Sequence, residues 1–161
     1  MKVIIYMAMS ADGYVADRNN KTPWSDEEWD EFNIFQKSCN ALLVGSKTYD
    51  VMKQHDELVD AQYYVASTDS SKSSEKATYI NIESADDLPK VDVLGVTGGT
   101  KLNSFIMELG VVDEIILDIE PHIFGGGTPL FHKLLNSCEL SLISTKKLND
   151  NTIQLHYKVQ Q

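Results

Sequence analysis

The chain has 161 residues, of which 42% are hydrophobic and 24% charged, and its formal net charge is −10 at pH 7. This length and balance predict one globular domain over residues 1–161, and the acidic charge argues against nucleic acids and anionic membranes as partners. No apolar run is long enough to span a bilayer, no signal peptide precedes the first strand, and Cys39 and Cys138 stand alone, so we expect a cytoplasmic protein without a metal site.

Apolar runs and alternating patterns predict strands and helices in a regular order. Strands are expected at residues 2–9, 41–44, 62–66, 77–81, 91–96, 112–120, 139–148 and 152–159. Helices are expected at residues 25–39, 47–55 and 100–109, and Ser25 with Glu28 forms a capping box at the start of the first. Strands that alternate with helices imply parallel crossovers, so ligands should bind at the carboxyl ends of the strands. The last two strands should form an antiparallel hairpin.

Two glycine-containing segments each lie between a predicted strand and a predicted helix. They are Gly45-Ser46-Lys47-Thr48 and Thr97-Gly98-Gly99-Thr100. Glycine allows the backbone to approach a ligand closely, and the free amides at a helix N-terminus attract anions. Two such helix starts at one sheet edge predict a site for the diphosphate of a dinucleotide cofactor.

These segments belong to a longer pattern that has a known counterpart. The pattern comprises Ser10-Ala11-Asp12-Gly13-Tyr14-Val15, residues 44–50, Gly98-Gly99, Val112-Asp113-Glu114-Ile115 and residues 121–131. It resembles the dihydrofolate-reductase-like superfamily, and most closely the stand-alone proteins similar to the C-terminal reductase domain of the bifunctional riboflavin-biosynthesis deaminase/reductase. The resemblance covers nearly the whole chain. It implies a three-layer α/β/α fold with a mixed, mostly parallel central sheet of about eight strands and a C-terminal antiparallel hairpin.

The resemblance implies that NADPH binds in a groove across the carboxyl ends of the strands. Thr48 would contact a phosphate and Lys47 would lie beside the 2′-phosphate, although an ordinary helix start explains both residues as well. Family members often hold the bond between Gly98 and Gly99 in the cis form, and a tight strand-to-helix turn is the alternative reading of this pair. The expected cofactor contacts are Ala8, Gly13, Tyr14, Gly45, Ser46, Lys47, Thr48, Ser67, Thr68, Gly98, Gly99, Thr100, Lys101 and Leu102.

One departure from the family pattern concerns the 2′-phosphate of the cofactor. The family has an arginine where Ser46 stands, and Arg18 is the one arginine of this chain. A guanidinium grips phosphate through two hydrogen bonds, which a serine hydroxyl cannot do. Lys47, Ser67 and Thr68 are the candidates to replace it, and NADH is the alternative cofactor.

The loop after the first strand is the expected place of the chemistry. By the resemblance, Ala8 to Tyr14 would lie under the nicotinamide, and Asp12 would orient a substrate hydroxyl or help deliver a proton. The alternative is that Asp12 only serves the turn that it forms with Gly13. A folate-like substrate also needs a buried carboxylate on the first helix, for which Glu28 is a candidate and Asp26 the alternative.

The expected substrate contacts are Trp24, Asp50 and Gly126. Trp24 would line a pocket, unless it belongs to the core face of the first helix. Asp50 is a loose counterpart of an acidic ribose contact, because the Asp-Asp-Pro segment of the full riboflavin-pathway reductases is missing here. Gly126 would form a site wall, unless its glycine run is only a flexible crossover. The neighbouring His122 and His132 lack partners at metal-binding spacing.

The sequence therefore predicts an NADPH-dependent reductase that transfers a hydride to a small carbonyl, imine or pterin/pyrimidine-like substrate. It resembles the riboflavin-biosynthesis 5-amino-6-(5-phosphoribosylamino)uracil reductase domain. Dihydrofolate reductase is an alternative, although Arg18 is in the wrong region to hold a folate tail. An alternative of another class is a non-catalytic dinucleotide-binding or homodimeric interaction protein. The expected partners are a small-molecule substrate and, because relatives commonly pair, a second copy of the chain.

Overall fold

A computed structural model describes residues 1–160, in which the strands and helices follow the predicted order. The strands are β1 (Lys2–Ser10), β2 (Tyr14–Ala16), β3 (Ala41–Gly45), β4 (Tyr63–Ala66), β5 (Ala77–Ile80), β6 (Val93–Val96), β7 (Glu114–Glu120), β8 (Thr128–Pro129), β9 (Leu140–Lys147) and β10 (Ile153–Val159). The helices are α1 (Asp26–Ser38), α2 (Ser46–Gln54) and α3 (Thr100–Glu108), with single 3₁₀ turns at Ser70–Lys72 and Ala85–Asp87.

The main sheet has eight strands in the order β5-β4-β3-β6-β1-β7-β10-β9. The first six of these are parallel, and β10 is antiparallel to both β7 and β9. This sheet contains all eight strands expected from the sequence and confirms the predicted mixed architecture with a C-terminal hairpin. The short pair of β2 and β8 forms a separate two-stranded sheet, which the sequence patterns do not predict.

Apolar residues on the two faces of the sheet hold the helices in place. Ile5 and Leu43 pack with Ile106 of α3 on one face, whereas Tyr6 packs against Phe35 of α1 on the other. α2 lies on the same side as α1, where its buried residues join the opposite face of β3. Burial of this apolar surface provides the main stabilisation of the three layers.

The topology creates a crevice between β3 and β6. These strands are neighbours in the sheet, yet α2 follows β3 on one face and α3 follows β6 on the other. The carboxyl ends of two parallel strands whose connections leave toward opposite faces are where open α/β sheets bind ligands. Among residues 1–160, no helix is long and apolar enough to cross a membrane.

Candidate active site

The two glycine segments meet at the crevice. The amide of Gly45 donates a hydrogen bond to the carbonyl of Gly98 at 2.8 Å. A Cβ added to Gly45 would lie 3.3 Å from the amide nitrogen of Gly99, and one added to Gly99 would lie 3.0 Å from Oγ1 of Thr48. Side chains here would therefore crowd the contact, so glycine is what lets the starts of α2 and α3 lie side by side. The bond between Gly98 and Gly99 is cis, as the resemblance implies.

Several polar groups at this crevice lack hydrogen-bond partners within the described chain. The N-cap residues of α2 and α3 are Gly45 and Gly99, and neither helix start has a side-chain cap. The hydroxyls of Thr97 and Thr100 are buried and have no hydrogen-bond partner among the described residues. Buried polar groups are nearly always paired in proteins, and free helix amides favour anions. The crevice therefore fits a phosphate-bearing ligand.

The other residues expected to contact the cofactor differ in how far they are exposed to solvent. Ser46 and Thr48 are half-buried in the first turn of α2, and Lys47 is exposed beside them. Leu102 is buried in the main core, so only its backbone remains for a ligand. Ala8 lies within β1, and Gly13 and Tyr14 lie at the start of β2. Ser67 and Thr68 follow β4, and Lys101 lies in the first turn of α3.

Ser67 follows β4 at the same edge of the sheet as the glycine segments. Its hydroxyl accepts a hydrogen bond from the amide of Asp69 at 3.1 Å. A serine that bonds an amide two residues later stabilises a local turn. The hydroxyl of Ser67 therefore already has a role in the loop, whereas Thr68 beside it is exposed.

Asp12 connects the loop after β1 by hydrogen bonds to the backbone at the start of the glycine run, residues 125–127. Its carboxylate accepts hydrogen bonds from the amides of Phe124 at 3.1 Å and Gly125 at 2.8 Å. Ser10 donates a further hydrogen bond to Asp12 at 2.7 Å and holds the pKa of Asp12 below its ordinary value. An ionised carboxylate that accepts these bonds is suited to fixing the loop rather than to releasing a proton.

Arg18 also contacts the glycine run at residues 125–127. Its Nη2 donates a hydrogen bond to the carbonyl of Gly125 at 2.6 Å. A Cβ added to Gly126 would lie 2.6 Å from Nε of Arg18, and one added to Gly127 would lie 2.1 Å from the carbonyl oxygen of Ala16. The expected wall residue Gly126 thus faces Arg18. The glycine run leaves room for the guanidinium and for the pairing of β2 with β8.

Three carboxyl groups are buried together between α1 and β7. Glu28, Asp118 and Glu120 have exposures of 2%, 0% and 1%, and we call them the acid cluster. The hydroxyl of Tyr6 donates a hydrogen bond to Oδ2 of Asp118. Ser25 donates to Oε1 of Glu120 from its hydroxyl at 2.7 Å and from its amide at 3.3 Å. Of the two helix carboxylates considered from the sequence, Glu28 is therefore the buried one, and Asp26 is exposed.

Burial raises the pKa values of two carboxyl groups in this cluster, Glu28 and Asp118. It raises the pKa of Glu28 to about 8, and the charges of Asp118 and Glu120 act in the same direction. Burial also raises the pKa of Asp118 to about 6, although the hydrogen bond from Tyr6 opposes the shift. The pKa of the Tyr6 hydroxyl lies well above its ordinary value for the same reason. The raised pKa therefore favours the protonated form of Glu28 at neutral pH.

A cleft with a volume of ≈ 450 Å³ opens beside the acid cluster. It is lined by Pro23, Ser25, Glu120, Pro121, His122, Asn149, Asp150, Asn151 and Thr152. Trp24 lies next to it, half-buried, with its ring stacked on Phe124 at a centroid distance of 5.7 Å. Asp50 does not line this cleft; it is exposed on α2, where its charge acts on Tyr49 and Tyr79.

The sequence analysis missed Tyr6, Asp118 and Glu120. One signal in the sequence could have identified the two acids of β7. Asp118 and Glu120 are two residues apart in a strand whose other residues, apart from Glu114, are apolar, and this spacing places both on one face. The predicted capping box is also only half formed. Ser25 accepts the amide of Glu28 at 3.3 Å, but its own amide bonds to Glu120, and the carboxylate of Glu28 is buried in the cluster instead.

Comparisons with known proteins agree with this architecture. The RibD C-terminal domain profile matches residues 1–79. Protein YwjB of Bacillus subtilis strain 168 is 30% identical over 170 aligned residues, which cover 97% of each chain. A structure from Shewanella sp. PV-4, assigned provisionally to riboflavin biosynthesis, superposes over 100% of both chains with a TM-score of 0.81 and 23% identity.

Dihydrofolate reductase of Enterococcus faecalis, in complex with NADP(H), covers 99% of this chain and 97% of its own with a TM-score of 0.73 and 16% identity. At such identities the two structural matches establish the fold alone. The full-length relationship to YwjB and the profile match add the sequence evidence. The chain therefore belongs to the reductase-like family of the RibD C-terminal domain and has the fold of the dihydrofolate-reductase-like superfamily.

Proposed function

We propose that the protein is an NADPH-dependent reductase that transfers a hydride to a small carbonyl, imine or pterin/pyrimidine-like substrate. The observation that carries this proposal is the burial of Glu28, which raises the pKa of its carboxyl group to about 8, near the carboxyl edge of a sheet that also bears the paired glycine segments. A reductase needs a cofactor site and a proton source on the two sides of one substrate position. The crevice supplies the first and the acid cluster supplies the second.

The glycine segments are the groups that would hold the cofactor. Backbone amides at the starts of α2 and α3 would receive the diphosphate, together with the hydroxyls of Thr48 and Thr100. Lys47 is exposed at the same helix start and would face the adenosine end. NADPH supplies the hydride in this chemistry. The enterococcal dihydrofolate reductase, which has this fold, is in complex with NADP(H), and this supports the choice of cofactor.

Glu28 would provide the proton that accompanies the hydride. The carboxyl group is protonated at neutral pH because it is buried beside Asp118 and Glu120. Its Oε2 has no hydrogen-bond partner among the described residues, so it is available to a ligand. After donating its proton to a nitrogen or oxygen of the reduced double bond, Glu28 would be a carboxylate and would regain a proton from solvent. The neighbouring carboxylates favour that recovery.

The loop after β1 would close the site against water. Asp12 and Arg18 bind the backbone of Phe124 and Gly125, which fixes this loop beside β7. Trp24 stacks on Phe124 and extends the same wall. Hydride transfer requires that reactive groups be held in place and that competing proton sources be excluded. Asp12 accordingly acts in our proposal as a positioning residue and not as the acid.

The proposal is tested by titrating the protein with NADPH and NADH while following the fluorescence of Trp24 and Trp29. We expect NADPH binding, and about a tenfold loss of affinity in Thr48→Ala, because a charge-assisted hydrogen bond to phosphate is removed. Thr22→Ala removes an exposed threonine outside the crevice and serves as the matched control. If neither cofactor binds, the reductase proposal is wrong and a non-catalytic role remains.

A further inference from the structure

Helix α3 carries two polar side chains on its buried side. Asn103 is 0% exposed and Ser104 is 6% exposed, although Leu102 and Ile106 of the same helix belong to the apolar core. A buried polar side chain costs stability unless its hydrogen-bonding groups are satisfied. Apolar residues at these two positions would fill the core without that cost. The hydrogen bonds of the two side chains therefore indicate a role other than packing.

Both side chains hold the segment that follows β8. The hydroxyl of Ser104 accepts hydrogen bonds from the amides of His132 at 2.9 Å and Lys133 at 3.3 Å. The side-chain amide of Asn103 donates a hydrogen bond to the carbonyl of Leu130 at 3.3 Å. From β8 to the start of β9 this described segment contains no helix or strand, so regular backbone pairing does not fix its position. The contacts with α3 do so instead.

The position of β8 depends on the same contacts. Pro129 of β8 lies opposite Tyr14 of β2, but β8 is only 2 residues long. A strand pair of this size is not stable by itself. It must therefore be held at both of its ends. Before β8, Asp12 binds the backbone at the start of the glycine run, and after β8, Asn103 and Ser104 bind the following segment.

The helix that holds this segment also begins at the glycine crevice. Its N-cap is Gly99, whose carbonyl accepts the amide of Asn103 at 2.9 Å. The hydroxyl of Ser104 donates to the carbonyl of Thr100 at 3.1 Å, one turn back. The first turns of α3 thus contain both the free amides that suit a diphosphate and the side chains that hold the segment after β8. Because a hydrogen-bonded helix is rigid over this length, the two are kept at a fixed distance.

We propose that Ser104 and Asn103 are positioning residues for the nicotinamide half of the cofactor. They hold the segment after β8 on α3 and thereby keep β8 paired with β2, where Tyr14 is expected to contact the nicotinamide. Neither side chain touches the cofactor in this proposal. The inference rests on the proposed reductase function, since it concerns one half of that cofactor's site.

The test compares NADPH with 2′-phospho-ADP-ribose, which is the oxidised or reduced cofactor without its nicotinamide ring. Isothermal titration calorimetry of the full chain measures both affinities. In Ser104→Ala we expect about tenfold weaker binding of NADPH, because the released pair of β2 and β8 must be ordered again around the nicotinamide. The affinity for 2′-phospho-ADP-ribose should stay that of the wild type, because the crevice is unchanged.

Two further variants separate this effect from a general loss of stability. Ser38→Ala is the matched control, since the hydroxyl of Ser38 bonds only to a carbonyl of its own helix, and it should change neither affinity. Asn103→Leu replaces an amide whose Oδ1 is unpaired among the described residues by an apolar side chain of similar volume. It should weaken NADPH binding selectively, and it repeats the test if Ser104→Ala does not fold, as judged by circular dichroism.

Amide hydrogen exchange followed by NMR locates the change in the chain. In Ser104→Ala the amides of His132 and Lys133 should exchange at least about tenfold faster, because they lose their acceptor. The amides of the central strands should exchange as in the wild type. Faster exchange throughout the sheet would mean that the two side chains only stabilise the fold, and would overturn the positioning role.

The outcomes for this role and for the reductase proposal are distinguishable. Equal losses of affinity for NADPH and 2′-phospho-ADP-ribose in the α3 variants, or no loss for either, reject the positioning role and retain the reductase. If the wild type binds neither NADPH nor NADH, the reductase proposal fails and the positioning role fails with it.

Discussion

Ser25 donates two hydrogen bonds to the same oxygen of Glu120, one from its hydroxyl at 2.7 Å and one from its amide at 3.3 Å. The two residues are 95 positions apart in the chain. The hydroxyl of Ser25 also accepts the amide of Glu28 and so caps α1. One serine thereby sets the start of the helix that carries Glu28 and anchors the strand that carries the other two carboxylates.

Ser25→Ala should destabilise the protein by about 2–3 kcal/mol, because it removes a helix cap and leaves the buried carboxylate of Glu120 with one donor fewer. Urea unfolding followed by circular dichroism measures the change. Ser84→Ala is the matched control, since Ser84 caps an exposed 3₁₀ turn, and it should cost about 0.5 kcal/mol. Equal losses in the two variants would show that Glu120 does not depend on Ser25.

The stability of the protein should fall as the pH rises from about 4.5 to about 8, owing to Glu28. The folded state raises the pKa of this group from 4.5 to about 8, so between these values the folded protein binds the proton and the unfolded chain does not. The stabilising contribution of the proton is fully present below pH 4.5 and is lost as the pH rises through about 8. Through Glu28 alone, the free energy of unfolding should decrease by up to roughly 1.4 kcal/mol per pH unit in this window, and Asp118, whose pKa is raised to about 6, adds to the decrease below about pH 6.

Glu28→Gln imitates the protonated group and should flatten this dependence between about pH 6 and about 8, above the raised pKa of Asp118. Denaturation curves at several pH values, recorded for the wild type and the variant, provide the measurement. Glu75→Gln removes one exposed carboxylate and should leave the slope unchanged. Parallel curves for the wild type and Glu28→Gln would contradict the assignment of the proton to this residue.

Ser46→Arg should shift the cofactor preference toward NADPH. Position 46 opens α2 beside Lys47, and the proposed 2′-phosphate contact lacks a guanidinium there. A bidentate hydrogen bond from arginine should strengthen NADPH binding by about tenfold while NADH binding stays unchanged. The fluorescence titration used for the wild type measures both affinities. Ser46→Gln supplies length without charge, and an equal gain in that variant would argue against a phosphate contact.

Gly127→Ala should damage the contact between the two loops more than Gly125→Ala does. A Cβ at Gly127 would lie 2.1 Å from the carbonyl oxygen of Ala16, whereas the space around Gly125 is open. The φ of 64° at Gly125 lies in the left-handed region and costs an alanine about 1 kcal/mol, whereas the φ of 146° at Gly127 lies outside this region and costs more. We expect about 3 kcal/mol for Gly127→Ala in urea unfolding. Similar losses would indicate that β2 and β8 separate readily.

The sequence was sufficient for the fold and for the meeting of the two glycine segments between β3 and β6, because the signals for both are local. Apolar periodicity marks the strands, and glycine after a strand and before a helix marks Gly45 and Gly98. The topology then brings the two segments together, since β3 and β6 are neighbours. The cofactor itself and the roles of the individual contact residues stay predictions.

The acid cluster could not be predicted, because its burial depends on tertiary packing. Polar residues that alternate on a strand ordinarily indicate a solvent-facing side, yet α1 covers this face of β7 and buries Asp118 and Glu120. The same packing explains the incomplete capping box. A local pattern pairs Ser25 with Glu28 and contains no information about a competing carboxylate on β7.

The position of β1 in the middle of the sheet bears on how the protein folds during synthesis. The amino-terminal strand pairs on one side with residues 93–96 and on the other with residues 114–120. During synthesis, β1 leaves the ribosome well before its hydrogen-bonding partners β6 and β7. An apolar strand with two unpaired edges must therefore remain exposed or be protected by a chaperone, and the central strand pairings form late in the folding of the nascent chain.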